Sequence, residues 1–141
     1  MSDIFSFQKR SDIMSKIGGK NTKPEILVRK FLFSKGFRYR INVKTLPGKP
    51  DIVLPKYKTV IFINGCFWHG HNCKKGELPS SNIDFWRKKI SNNKSRDDKN
   101  SDLLIKLGWK VIIIWQCEIS NVNNREIRLE FLLEELRFHE F

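Results

Sequence analysis

Cys66, His71 and Cys73 fall within one short stretch, and Cys117 stands just after a later apolar run; these are all the cysteines the chain has. Zinc takes four tetrahedral sulfur and nitrogen ligands, and a closed set of three cysteines and one histidine marks a structural site. His69, two residues before His71, is the alternative nitrogen ligand. Free cysteine is often only a small buried hydrophobe. Two cysteines in a polar loop with two histidines point instead to a metal. The spacing matches no common zinc finger, and Cys117 can join only if its strand lies beside the one leading into Cys66.

Asp51 follows Pro47-Gly48-Lys49-Pro50 and opens a short apolar segment. If 51–54 and 59–63 pair as a hairpin, Asp51 lies across from Phe62 or Ile63, a difference of one step in register. Its carboxylate and nearby backbone oxygens are then hard ligands that suit magnesium at a phosphodiester. The alternative for Asp51 is ordinary turn chemistry. A neutral imidazole beside a phosphate is a good general base near pH 7, which makes His69 the candidate proton acceptor. Glu25 and Asp97 are weaker candidates, since each also suits a helix-dipole or ion-pair role. His139 reads as a surface residue.

The positioning elements follow from local pattern. Residues 1–20 read as a basic arm with one short helix from Ser11 to Ile17, and 21–141 as the catalytic domain. Asn21 or Thr22 can cap a helix that has Pro24 and Glu25 in its first turn and that stops at Gly36. Phe37, Tyr39, Ile41 and Val43 alternate with polar residues as on a half-exposed strand. Strands 51–54 and 59–63 form an antiparallel hairpin. Gly65 to Ser81 is irregular. Asn82 caps a helix over 83–107, with a break near Ser91-Asn92-Asn93, and Gly108 ends it. Trp109 to Trp115 reads as a buried central strand, with both of its tryptophans in the core. A final helix over 124–138 presents Ile127, Phe131, Leu132 and Leu136 on one face. The order α-β-β-β-α-β-α implies an α/β fold, a mixed sheet covered by helices.

With 141 residues and 40% hydrophobic side chains, the chain can bury one core, and its net charge of +12 asks for a polyanionic partner. The charge is uneven: residues 1–50 hold 12 basic and 3 acidic side chains, and 86–110 hold 8 and 3. Residues 120–141 reverse the balance, with 3 basic and 5 acidic. That pattern describes a basic face for a nucleic acid. No apolar run approaches the ~18 residues of a membrane span, and the first residues lack the features of a signal peptide. A cytoplasmic protein with reduced cysteines and no membrane partner is the expectation.

Leu46-Pro-Gly-Lys-Pro-Asp51, Val60 to His71 with Cys73, Phe85-Trp86 and Leu107-Gly-Trp-Lys-Val111 closely resemble the very short patch repair (Vsr) endonucleases, in order and at matching spacing. The resemblance implies a restriction-endonuclease-like single domain with a structural zinc and magnesium-dependent nicking. It implies a substrate as well: double-stranded DNA with a T/G mismatch left by 5-methylcytosine deamination, cut 5′ of the thymine. Carried over by position, Asp51 holds Mg2+ with the carbonyl of Ile63. His69 is the base, oriented by Asp97, with Glu25 nearby. Cys66, His71, Cys73 and Cys117 hold zinc. Phe67, Trp68 and Trp86 are wedges beside the mismatch, and Met14 enters from the opposite groove. Of the adjacent pair Phe67 and Trp68, one faces out.

One position departs from the family: Asn64 stands where its studied members carry a catalytic histidine, and an amide is no comparable proton donor. The second acidic residue and lysine usual in restriction-type sites are also absent from residues 63–65. Two other readings follow. One is a restriction or defence nuclease cutting matched or modified DNA. The other is a zinc-containing DNA-binding protein with weakened catalysis. Nicking one strand needs only a monomer.

Overall fold

The structure is a computed structural model and describes residues 22–137; the N-terminal arm with its expected helix, Met14 and His139 lie outside the described residues. Helix α1 covers Lys23–Ser34. Thr22 caps it, its hydroxyl oxygen accepting from the Glu25 N–H at 3.4 Å, and Pro24 occupies the first turn, where a missing N–H costs nothing. Gly36, at φ 89°, takes the left-handed conformation that ends the helix.

Strand β1 (Ile52–Leu54) and strand β2 (Thr59–Asn64) form the expected hairpin, joined through a 3-10 turn at Pro55–Tyr57. A long helix α2 (Ile83–Lys106) then crosses to strand β3 (Lys110–Trp115), which pairs in parallel with β2. Helices α3 (Gln116–Ser120) and α4 (Val122–Arg137) follow. The sheet order is β1-β2-β3, a mixed three-stranded sheet.

Alternation along the strands sends side chains to two separate cores. Ile52, Leu54, Ile61, Ile112 and Ile114 pack with Val28 and Leu32 of α1, Ile119 of α3 and Leu129, Leu132 and Leu136 of α4. Val53 and Val60 pack on the other side with Leu104 of α2, joined by Phe62, Trp109 and Val111. Helices therefore cover both faces, which explains why β1 and β2 read as continuous apolar runs.

Several expectations are corrected. Residues 37–43 form no strand; their one contribution is an isolated bridge between Arg40 and Val53. Phe37 and Tyr39 pack on the first core without a ladder partner, so the element order is α-β-β-α-β-α-α. The middle strand is β2, not the 109–115 segment. Helix α2 runs unbroken through Ser91-Asn92-Asn93, and Asn82 precedes it at φ 53° without a side-chain cap bond. The final helix begins at Val122 and buries Leu129, Leu132, Leu133 and Leu136, while Ile127 and Phe131 are exposed. Its apolar residues run nearly all round, so periodicity alone found Leu132 and Leu136 but placed the rest of the stripe on the wrong side.

Two substitutions check this packing by denaturant unfolding. Ile61→Ala, in the middle strand, should cost about 2–5 kcal/mol. Ile127→Ala, at a position 71% exposed, should stay within about 0.5 kcal/mol.

Candidate active site and metal centre

The parallel register aligns Asn64 with Trp115. Cys66 and Cys117 each lie two residues beyond that pair and so leave the sheet side by side. The Cys117 N–H donates to Cys66 Sγ at 3.4 Å, and Cys117 Sγ lies 3.4 Å from His71 Nδ1. With Cys73, all four donor atoms fall within 4.8 Å of one another. A tetrahedron of ~2.3 Å bonds has edges of about 3.8 Å, so these soft donors need only a small contraction to hold zinc. Burial pushes the Cys117 thiol up to about 12, with the neighbouring Cys66 and Cys73 adding to it, and burial raises Cys66 too. Clustered thiols of this kind ionise only with a cation among them. The donor set fits the metal.

The loop that carries these ligands is tightly folded. The His71 N–H bonds to the Cys66 carbonyl at 2.9 Å, and a Cβ on Gly76 would come within 2.0 Å of the His71 oxygen. The His71 ring stacks on Trp115, centroids 4.2 Å apart and nearly parallel. Trp115 is thus only partly buried, holding a candidate ligand in plane, rather than the core residue its apolar run suggests. Trp109 is also partly buried, against the second core, with the Lys58 ammonium 4.3 Å from its ring centre.

Between Cys66 and His71 the chain docks on successive turns of α2. Asn93 donates to the Trp68 carbonyl at 2.9 Å, and His69 Nδ1 meets Asp97 Oδ2 at 2.5 Å. Gly70, at φ 65°, sits so close that a Cβ would meet Ile90 Cγ2 at 2.6 Å. Residues 90, 93, 94 and 97 share one helix face. Asp97 is among the expected site residues, as a carboxylate and through the resemblance; Asn93 is not, because a polar helix residue carries no amphipathic signal.

Asp51 sits at a kink in the hairpin. Ile61 pairs with Ile52, yet its carbonyl also accepts the Asp51 N–H at 3.1 Å. Two residues thus oppose one, as in a β-bulge. The kink re-aims the Asp51 side chain, whose Oδ2 accepts the Ile63 N–H at 2.6 Å. Burial raises the Asp51 pKa to about 7; the Ile63 N–H opposes this, Glu25 adds to it and Arg29 lowers it. Asp51 lines a cleft with Glu25, Arg29, Asn42, Val43, Lys44, Lys49 and Pro50. Glu25 is buried and paired with Arg29 at 3.0 Å. A neighbouring cleft is lined by Gly48, Phe62, Asn64, Asp97, Asn100, Ser101 and Ile113. The two clefts are lined by successive residues of one turn, Gly48 in the second and Lys49 in the first. The structure therefore brings together Asp51 with Glu25, His69 with Asp97, and Asn64 with Asp97. A half-buried carboxylate that resists ionisation, with a second beside it, suits a hard divalent cation.

Phe67, Trp68 and Trp86 form one cluster, with ring centres 5.1 to 5.9 Å apart. Phe85 extends it and was not among the predicted site residues. Trp68 is 47% and Phe85 59% exposed, while Phe67 is half-buried. From this cluster α2 runs on with Arg87, Lys88, Lys89, Lys94, Arg96 and Lys99 exposed.

Sequence comparison decides the family. The family model described as DNA mismatch endonuclease Vsr matches residues 2–75. The chain is 58% identical over 137 residues, 97% of its own length and 98% of the relative's, to the type II nicking enzyme V.NmeAIP of Neisseria meningitidis serogroup A. The chain belongs to the Vsr family. It is 45% identical to the type II nicking enzyme V.XorIIP of Xanthomonas oryzae pv. oryzae, with 95% of the chain and 98% of the relative covered. It is 37% identical to the DNA mismatch endonuclease Vsr of Escherichia coli K12, with 84% and 76% covered. As a Vsr-family member the chain is a DNA endonuclease, and no described helix is long and apolar enough to cross a membrane.

Metal analysis should find about one zinc per chain, and Cys117→Ser should lose it together with several degrees of melting temperature. The Asp51 carboxyl has a second readout. Its folded pKa of about 7 exceeds its ordinary 3.8, so between those values the folded chain holds a proton that the unfolded chain releases. Stability contributed by this group is complete below pH 4 and declines as pH rises toward 7. Asp51→Asn should remove that part of the slope in denaturant titrations without added divalent cation.

Proposed function

We propose that this Vsr-family endonuclease nicks one strand of duplex DNA 5′ of the thymine in a T/G mismatch, within a restriction-endonuclease-like fold. The observation that carries the reading is the end of β2. Asp51, whose Oδ2 accepts the Ile63 N–H there, shares a cleft with Glu25, while Asn64 shares the neighbouring cleft with Asp97, the partner of His69. The names of the relatives support nicking, and one of them is named a mismatch endonuclease.

Asp51 and the carbonyl of Ile63 would hold Mg2+, with Glu25 near it. When bound there, the divalent cation supplies Lewis-acid stabilisation of the charge that builds on the phosphate. Asp97 accepts the Nδ1 proton of His69, which leaves Nε2 to take a proton from the attacking water. At 30% and 33% side-chain exposure, this pair is open to substrate. Asn64, buried at the floor of the neighbouring cleft, donates its amide to a phosphate oxygen and transfers no proton. Cys66, His71, Cys73 and Cys117 would hold zinc and so fix the loop that carries His69. Phe67, Trp68 and Trp86 wedge into the base stack, with Met14 approaching from the other groove. Unstacking costs a few kcal/mol and least at a mispair, so the wedge selects a wobble pair.

A short duplex with a single T/G pair, and its matched counterpart, tests this directly. Magnesium-dependent nicking of the mismatched strand alone is expected; equal cutting of the matched duplex would mean a restriction-type nuclease. Binding without cleavage, even with manganese, would mean a decayed enzyme. Asp51→Ala should abolish nicking while leaving zinc content intact, and His69→Ala should slow it about 10²–10⁴-fold. Trp68→Ala should erode mismatch preference more than overall affinity.

A further inference from the structure

Lys49 occupies a backbone conformation that its neighbours ought to forbid. A residue before proline is driven toward extended φ near −120°, and left-handed φ is unfavourable for any side chain with a Cβ. Lys49 precedes Pro50 and yet stands at φ 50°, directly after Gly48 at φ 75°. The surroundings hold it there. The Lys49 N–H closes a turn onto the Leu46 carbonyl at 3.1 Å. A Cβ on Gly48 would lie 3.1 Å from Asn100 Cβ and 3.2 Å from Phe62 Cζ, so the turn is pressed against α2 and β2. Pro50, the next residue, is buried. Strain that is over-determined in this way collects at functional positions.

The strained residue lines the cleft of Asp51 and Glu25. Of the three cations there, Arg29 is committed to Glu25 at 3.0 Å, and Lys44 stands seven residues before Asp51 whereas Lys49 stands two before it. Lys49 is exposed, and its ammonium is in no ion pair with a described residue. A cleft with two carboxylates repels a phosphodiester unless cations offset them, and a mobile lysine at the mouth is suited to that purpose.

The geometry points to Lys49 as a phosphate-binding residue of the nuclease site. Its ammonium takes a non-bridging oxygen of the phosphodiester presented to Asp51, and the strained Pro47-Gly48-Lys49-Pro50 turn exists to hold it there. This assignment rests on the Asp51 reading above. It also explains why the 63–65 stretch can lack a lysine: the cation arrives from the turn before Asp51.

Full-length Lys49→Ala, Lys49→Gly, Lys49→Arg and Asp51→Ala, together with Lys56→Ala, test it on a T/G duplex. Lys56 lies in the turn between β1 and β2, at the other end of the hairpin, and removes the same charge. Single-turnover nicking should fall about 10- to 100-fold in Lys49→Ala and Lys49→Gly, recover largely in Lys49→Arg, and hold in Lys56→Ala. The slope of log affinity against log salt should shrink by about 0.9 in the two neutral Lys49 variants. Lys49→Gly should also melt about 2–4 °C higher than the parent, because glycine relieves the turn while activity is lost. A side chain that served only the turn would give that higher melting temperature with nicking and salt slope unchanged. Such a result, with Asp51→Ala inactive, would overturn the Lys49 assignment alone. Undiminished nicking in Asp51→Ala would instead overturn the site reading, and the assignment with it.

Discussion

The parallel pairing of β2 with β3 is the constraint on which the rest depends. A parallel neighbour cannot be reached by a tight turn, so the chain must spend a long crossover between them. Here that crossover contains both the cysteine-histidine loop and α2. Once Asn64 is set beside Trp115, the residues that follow each strand emerge together at one end of the sheet. Cys66 and Cys117 become neighbours, and α2 returns close enough for Asn93 and Asp97 to meet the intervening loop. The antiparallel β1 enters the same end from the other side of β2 and delivers Asp51.

That end of the sheet stays polar because the fold separates two tasks. Below it, isoleucine, valine and leucine from all three strands fill two cores under helices on both faces. Above it, the backbone leaves regular pairing and side chains replace it. Asp51 accepts an N–H from Ile63, and Glu118 accepts the Trp115 N–H at 2.7 Å. Polar groups there are held by one or two directional bonds each, which sets their positions without covering them. The burial that raises the Asp51 pKa would also strengthen the pull of a cation bound there, since low-dielectric surroundings screen charge less.

Charge is partitioned in the same way. Helix α2 carries an exposed basic surface leading away from the aromatic cluster, whereas α4 bears Glu126, Glu130 and Glu134 on its exposed side. A polyanion is drawn to one flank and turned from the other. The aromatic rings meet edge to face, an arrangement that leaves part of each ring open. Arg128 ties the acidic helix to the sheet through the Ile113 carbonyl and to α3 through Glu118, and pairs with Glu135 on its own helix.

Local chemistry was enough to read the α1 cap, the hairpin, the end of α2 before Gly108 and the donor types around Cys66, because each depends on neighbours within a few residues. The cysteine-histidine set, and the His69–Asp97 pairing that the family likeness implied, are both together in the structure. What sequence could not supply was anything set by distant partners. Residues 37–43 alternate like a strand but find no ladder to join, and α4 buries the stripe that α1 and the sheet leave room for. Trp115 is apolar by type but is placed against His71 by the register of β3. The bulge that turns Asp51 toward Glu25, and the left-handed Lys49 beside it, arise only when the turn is squeezed between β2 and α2. Residue type determined which chemistry was available; long-range packing decided which groups face one another, because period and propensity contain no information about partners far along the chain.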